Sequence, residues 1–151
     1  DMREFQRPGA FDLALNLFSS FGYFEDPADD LLVLRGFRDS LVAGGTLVLD
    51  TMATEIIARL WQPQSVSELD DGTLIIERRE LLDGWSGVRS TWTVIRDGQR
   101  IDDSFEVRLY SAPHLRSLLL EAGFSEVRVF GGLDGAPYDL DARRLVLLAR
   151  R

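Results

Sequence analysis

Residues Phe11 to Tyr23 read FDLALNLFSSFGY. Phe11, Leu13, Leu15 and Leu17 alternate with Asp12, Ala14 and Asn16, and Ala14 blurs the alternation. A short, mostly apolar run of this kind is expected of a strand covered on both faces, spanning Phe11 to Phe18. A polar, aromatic loop with Ser19, Ser20, Phe21 and Tyr23 follows. Asp26 then suits a helix N-cap, Pro27 the first helical position, and Asp29 and Asp30 the positive end of the helix dipole. Leu31, Leu34, Phe37 (or Arg38) and Leu41 recur at helical spacing, Gly44-Gly45 stops the helix, and Thr46 to Asp50 is a second apolar strand.

A strand, a helix and a strand in about forty residues make a βαβ unit, with parallel strands and a right-handed crossover. Both carboxyl ends then lie on one edge of the sheet. Asn16 to Ser20 and Asp50 to Met52 become neighbours there, and that edge is where open α/β sheets bind ligands.

Downstream, a second helix is expected over Ala53 to Trp61, with Ile56, Ile57 and Leu60 inward. The pattern then changes to three strands and two turns between Thr73 and Tyr110. Asp97-Gly98 is a two-residue hairpin signal. It sets Val94 against Ile101, Trp92 against Asp103, Ser90 against Phe105 and Val88 against Val107. Arg89 opposes Glu106 on the other, polar face. Ser111 caps a helix with Leu115, Leu118, Leu119 and Ala122 inward, ended by Gly123. Strands over Ser125 to Phe130 and Arg143 to Arg150 close the chain.

The composition is that of a globular domain: 151 residues, 45% apolar and 28% charged. A net charge of −8 argues against a nucleic-acid partner. No apolar run is long enough for a membrane helix. The absence of cysteine excludes disulfides and thiolate metal sites, and fits a cytoplasmic setting. Asp102 and Asp103 lack the further ligands of a metal site, so no metal is expected. The chain opens at Asp1-Met2, almost directly on a core strand, which points to a piece of a longer protein. A homodimer is compatible with these features.

Four features together resemble the C-terminal part of a class I S-adenosylmethionine-dependent methyltransferase. They are Asp1-Met2 about ten residues before FDLALNLFSSFGYF; the run Leu41-Val42-Ala43-Gly44-Gly45-Thr46-Leu47-Val48-Leu49-Asp50; the segment RLYSAPHLRSLLLEAGFSEVRVFG; and the closing apolar strand. The resemblance implies an α/β fold. Its sheet is Rossmann-like, with the C-terminal strands present and the last antiparallel, and it carries an antiparallel insertion over residues 65–110. Residues 1–151 would be the C-terminal portion of one domain. The family's glycine-rich cofactor loop, which belongs to earlier strands, is missing, so the absent N-terminal segment is an expected partner.

By the same resemblance the cofactor is S-adenosylmethionine, held by Asp1, Met2, Asn16, Leu17 and Phe18. Asp1 would accept from the adenine amino group, and Met2 would meet the ring through its backbone amide. Ser20, Phe21, Tyr23, Asp50, Arg108 and Tyr110 are the candidates facing a small-molecule methyl acceptor. For Asp50, holding a loop and touching substrate stay equally open. No catalytic base is identified. The alternative is a non-catalytic half-domain, or a structural subunit that completes its fold with another polypeptide.

Overall fold

In the computed structural model, which describes residues 1–151, β1 (Phe11–Asn16) and β2 (Leu41–Thr51) run parallel and are joined by α1 (Pro27–Ser40). Asp26 caps α1 by accepting from the Ala28 N–H at 2.8 Å, and Pro27 opens the helix. The glycine pair does not end it. The helix stops at Ser40, and β2 begins at once with Leu41. Leu41 pairs with Phe11 and Thr46 with Leu13, so Val42 to Gly45 bulge out of the ladder. Both glycines are needed there. Gly44 has φ +75°, and a Cβ on Gly45 would lie 3.0 Å from the Val42 carbonyl oxygen.

The chain continues through α2 (Thr54–Arg59), an antiparallel region, α3 (Ala112–Glu121), β7 (Glu126–Phe130) and β8 (Leu145–Arg150). The first sheet has the order β1-β2-β8-β7, with β8 antiparallel to both neighbours. Its core is aliphatic. Leu34 of α1, Leu47 and Leu49 of β2, Leu115 and Leu119 of α3, and Leu145 and Leu147 of β8 are all fully buried. Each contributes about 1.5–3 kcal/mol by leaving water. Ser111 caps α3 by accepting from the His114 N–H at 3.3 Å, and Gly123, at φ +99°, follows the helix end.

One expectation fails at β1. The strand is not covered on both faces: it is the outermost strand of its sheet, and Leu13 and Leu15 are 52% and 55% exposed. An apolar run reports the burial a strand is suited to, and here no neighbouring element supplies it. Asp1, Met2, Phe5, Phe11, Leu13 and Leu15 flank an apolar hollow of about 410 Å³ between β1 and α1.

The antiparallel region forms a separate four-stranded meander, β3 (Gln64–Glu68), β4 (Leu74–Leu81), β5 (Gly87–Arg96) and β6 (Gln99–Arg108), in that order. Pairing of β5 with β6 follows the register read from the sequence at every position named there. Asp97 and Gly98 both have positive φ, as a type I′ turn requires. Strand β3 was not expected, because Gln64-Ser65-Val66-Ser67-Glu68 carries little apolar signal. One face of the meander is polar: Arg89 pairs with Glu106 at 2.7 Å and Thr93 donates to Asp102 at 2.6 Å. The other face, with Val88, Ser90 and Val107, turns toward the carboxyl edge of the first sheet.

Candidate functional site at the carboxyl edge

The parallel pairing of β1 with β2 brings Asn16 opposite Leu49, so the two strands end side by side. Beyond that point the chain is tied down by one carboxylate. Asp50 is 2% exposed and accepts from the Phe18 N–H at 3.0 Å. Arg144 reaches the same carboxylate with two parallel bonds, Nε to Oδ1 at 2.7 Å and Nη2 to Oδ2 at 2.8 Å. The Arg144 Nη2 also donates to the Ser19 Oγ at 3.2 Å, and the Ser19 N–H donates to the Asp50 carbonyl at 3.0 Å. Asp50 therefore holds the loop.

The loop it holds is strained. Phe18 and Ser19 have φ +57° and +60°, a conformation that costs a non-glycine residue about 1 kcal/mol or more. Phe18 is nevertheless 80% exposed. The clamp spends its bonds on projecting an aromatic ring from the sheet edge into open space. Arg144 went unread in the sequence. The available signal was the antiparallel last strand, whose start must lie beside the end of β2.

Asn16 is 4% exposed. Its Nδ2 donates to the Met2 Sδ at 3.7 Å, while its Oδ1 is buried without any partner. Buried acceptors are normally satisfied, and this one at the end of β1 is not. Asp1 lies nearby on the same hollow as Met2, its carboxylate engaged by Arg3. Met2 thus links Asn16 to the hollow that Asp1 also lines, and Leu17 and Phe18 follow Asn16 along the chain. An orphaned acceptor and an exposed aromatic ring are the chemical types that meet a polar and a planar part of S-adenosylmethionine, while the Asp1 carboxylate is matched by Arg3.

The remaining candidates divide. The Ser20 Oγ donates to the Leu17 carbonyl at 2.6 Å and closes the turn. Phe21 is buried in the main core against Tyr110, ring centroids 5.7 Å apart. Tyr23 packs on Phe105 at the rim of the meander, and partial burial raises its pKa. Arg108 and Tyr110 spend their polar groups inside the chain. Both converge on Asp30, the fully buried acid in the first turn of α1, with the Tyr110 hydroxyl 2.7 Å from Oδ2. Arg108 also donates to the Glu25 carbonyl at 2.9 Å, so this cluster fastens the start of α1 to the end of β6. Burial, then the hydrogen bond and charge of Asp30, raise the pKa of Tyr110.

Between the two sheets lies a pocket of about 310 Å³, at the small end of the range for small-molecule sites. Ser19, Thr51 and Met52 come from the carboxyl edge, Ile57, Leu60 and Trp61 from α2 and its end, and Val88, Ser90 and Val107 from the meander. Ile57 and Leu60, expected to face the core, line this space instead; Leu60 is largely exposed because α2 ends at Arg59. No three His, Cys, Asp or Glu side chains gather as a metal site. No helix is long and apolar enough to cross a membrane.

No protein-family model matches the chain, and no curated protein matches its sequence. Solved structures do match. The CcbJ methyltransferase from Streptomyces caelestis superposes with a TM-score of 0.83 at 16% identity, covering 99% of this chain and 61% of that one. An S-adenosylmethionine-dependent methyltransferase from Clostridium acetobutylicum gives 0.81 at 17%, covering 99% and 62%. CalS10, an amino pentose methyltransferase from Micromonospora echinaspora with S-adenosylmethionine bound, gives 0.72 at 18%, covering 100% and 63%. The fold is that of class I S-adenosylmethionine-dependent methyltransferases. The chain spans about three fifths of the length of these structures.

Proposed function

We propose that this chain is the C-terminal portion of an S-adenosylmethionine-dependent methyltransferase domain acting in the cytoplasm on a small-molecule acceptor. One observation carries the reading: the buried, unpartnered Asn16 Oδ1 stands where two parallel strands end, at the sheet edge whose Ser19, Thr51 and Met52 line a small pocket under a second sheet. Asp1, Met2, Asn16, Leu17 and Phe18 would hold the cofactor. When bound, it supplies an electrophilic methyl group on a sulfonium.

The work left to this chain is positioning. Asp50 and Arg144 set the Phe18-Ser19 loop, and the meander over residues 65–110 serves as lid and acceptor wall. Holding two reactants in line contributes up to roughly 7–11 kcal/mol in favourable cases, and excluding water strengthens each polar contact made there. No base is assigned, since displacement from a sulfonium requires one only when the acceptor must shed a proton early.

A second reading draws on the open edge of β1. Its unpaired backbone, exposed Leu13 and Leu15 and the adjoining hollow suit a further strand from a preceding segment or another polypeptide. Calorimetric titration with S-adenosylmethionine tests both readings. Binding only after the preceding segment is supplied supports a divided enzyme. Binding by the chain alone supports a self-sufficient site. No binding in either case rejects the methyltransferase reading in favour of a structural subunit.

A further inference from the structure

The pocket between the sheets has a charge balance of its own. Two arginines, Arg79 and Arg108, line it, and Arg108 extends its guanidinium to Asp30. Arg79 is already matched. Its Nε donates to the Glu77 Oε1 at 2.8 Å, its Nη2 meets Oε2, and its Nη1 donates to the Gln62 carbonyl at 3.1 Å. Glu77 and Arg79 are alternate residues of β4, hence on one face, and both are largely buried.

Such a pair disfavours ions of either sign. A cationic ligand would find no carboxylate free to receive it. An anionic ligand would be set beside Glu77. In each case the ion sheds its hydration without gaining a countercharge.

Neutral polar groups fare differently. Ser90 and Thr51 are 5% and 8% exposed and both line the pocket. Neither hydroxyl bonds to another group of the chain. Ser90 sits directly across from Arg79 on one side and Phe105 on the other. Arg79 retains an unspent N–H on each terminal nitrogen. The same pocket is lined by Ile57, Trp61, Val88 and Val107.

Resting on the methyltransferase reading, we infer that the acceptor is an uncharged molecule. Its carbonyl or hydroxyl oxygens bond to Ser90, Thr51 and Arg79, and its apolar body lies against Trp61 and Val88. The selection is made by the Glu77–Arg79 pair, which rejects protonated amines and carboxylates alike.

Three phenols of equal size test this on the isotope-labelled chain: para-hydroxyacetophenone (neutral), para-hydroxybenzoate (an anion) and tyramine (a cation). The readout is the Trp61 indole N–H resonance, assigned by its loss in Trp61→Phe. The neutral phenol should bind about tenfold or more tighter than either ion. Ser90→Ala should weaken it by about fivefold with the remaining spectrum unchanged. Glu77→Gln should hand the advantage to the anion, and Arg79→Gln to the cation. An ion binding as tightly as the neutral phenol overturns the inference. So does a Trp61 signal unmoved by all three, or a ligand preference indifferent to both charge changes. S-adenosylhomocysteine added to the same sample, followed at the Asn16 side-chain amide, reports on the methyltransferase reading separately. A neutral preference at Trp61 upholds the pocket's selectivity whichever way that titration falls.

Discussion

At the scale of single residues, Asp50 decides the shape of the carboxyl edge. Its carboxylate is buried and satisfied by a backbone N–H and a two-pronged guanidinium. Asp50→Ala leaves Arg144 without its partner and frees the strained loop, and should cost about 2–4 kcal/mol in urea unfolding. Phe18 behaves in the opposite way. Its ring is exposed and its backbone is left-handed, so Phe18→Gly removes strain while adding chain entropy to the unfolded state. The net change should be neutral to stabilising, within about 1 kcal/mol. A loss well beyond that would show the ring to be packed rather than presented. Tyr110 gives a pH signature. Its folded pKa lies above the ordinary value near 10, chiefly through burial and then through Asp30. The folded state therefore keeps the proton where the unfolded chain releases it. That stabilisation is complete below about pH 10 and is lost as the pH rises past it. Tyr110→Phe should lower stability by about 1–3 kcal/mol at neutral pH and flatten the alkaline decline. Unfolding midpoints between about pH 8 and about pH 11 measure both effects.

At the scale of elements, β1 is the exposed piece. Leu15 is more than half exposed, so Leu15→Lys should change the stability of this chain by no more than about 0.5 kcal/mol. The same change should abolish pairing of a further strand on that edge, seen as loss of co-elution with the completing segment on a sizing column. Retained co-elution would place the docking elsewhere. How much of each element was legible depended on whether its signal was local. The hairpin of β5 and β6 was, because Asp97-Gly98 fixes both turn and register. The start of α1 was, because Asp26-Pro27 satisfies the first helical N–H groups. Its end was not. Gly44 and Gly45 looked like a helix stop, but they serve a bulge whose partner strand begins thirty residues earlier. Strand β3 was hidden for the same reason: with its ladder bonds made to β4, polar residues suffice.

At the scale of the whole molecule, two sheets meet at one edge, and the space between them belongs to neither sheet's sequence pattern. Adding S-adenosylmethionine together with the preceding segment should raise the melting temperature by more than the sum of their separate effects, since each would complete the site that the other binds. Additive or absent shifts would count against a site shared between the two. From the sequence came the parallel βαβ unit, the amphipathic helices, the hairpin register and the place of Asn16 at a strand end. All of these rest on periodicity and capping, which act over a few residues. Tertiary structure alone decided that β1 stands at an edge, that Arg144 comes back to Asp50, that Arg108 and Tyr110 serve Asp30, and that Glu77 neutralises Arg79 beside Ser90. Each of those depends on which distant side chains share a buried volume. Burial makes an unpaired charge or hydroxyl costly, and so dictates partners that no local pattern can specify.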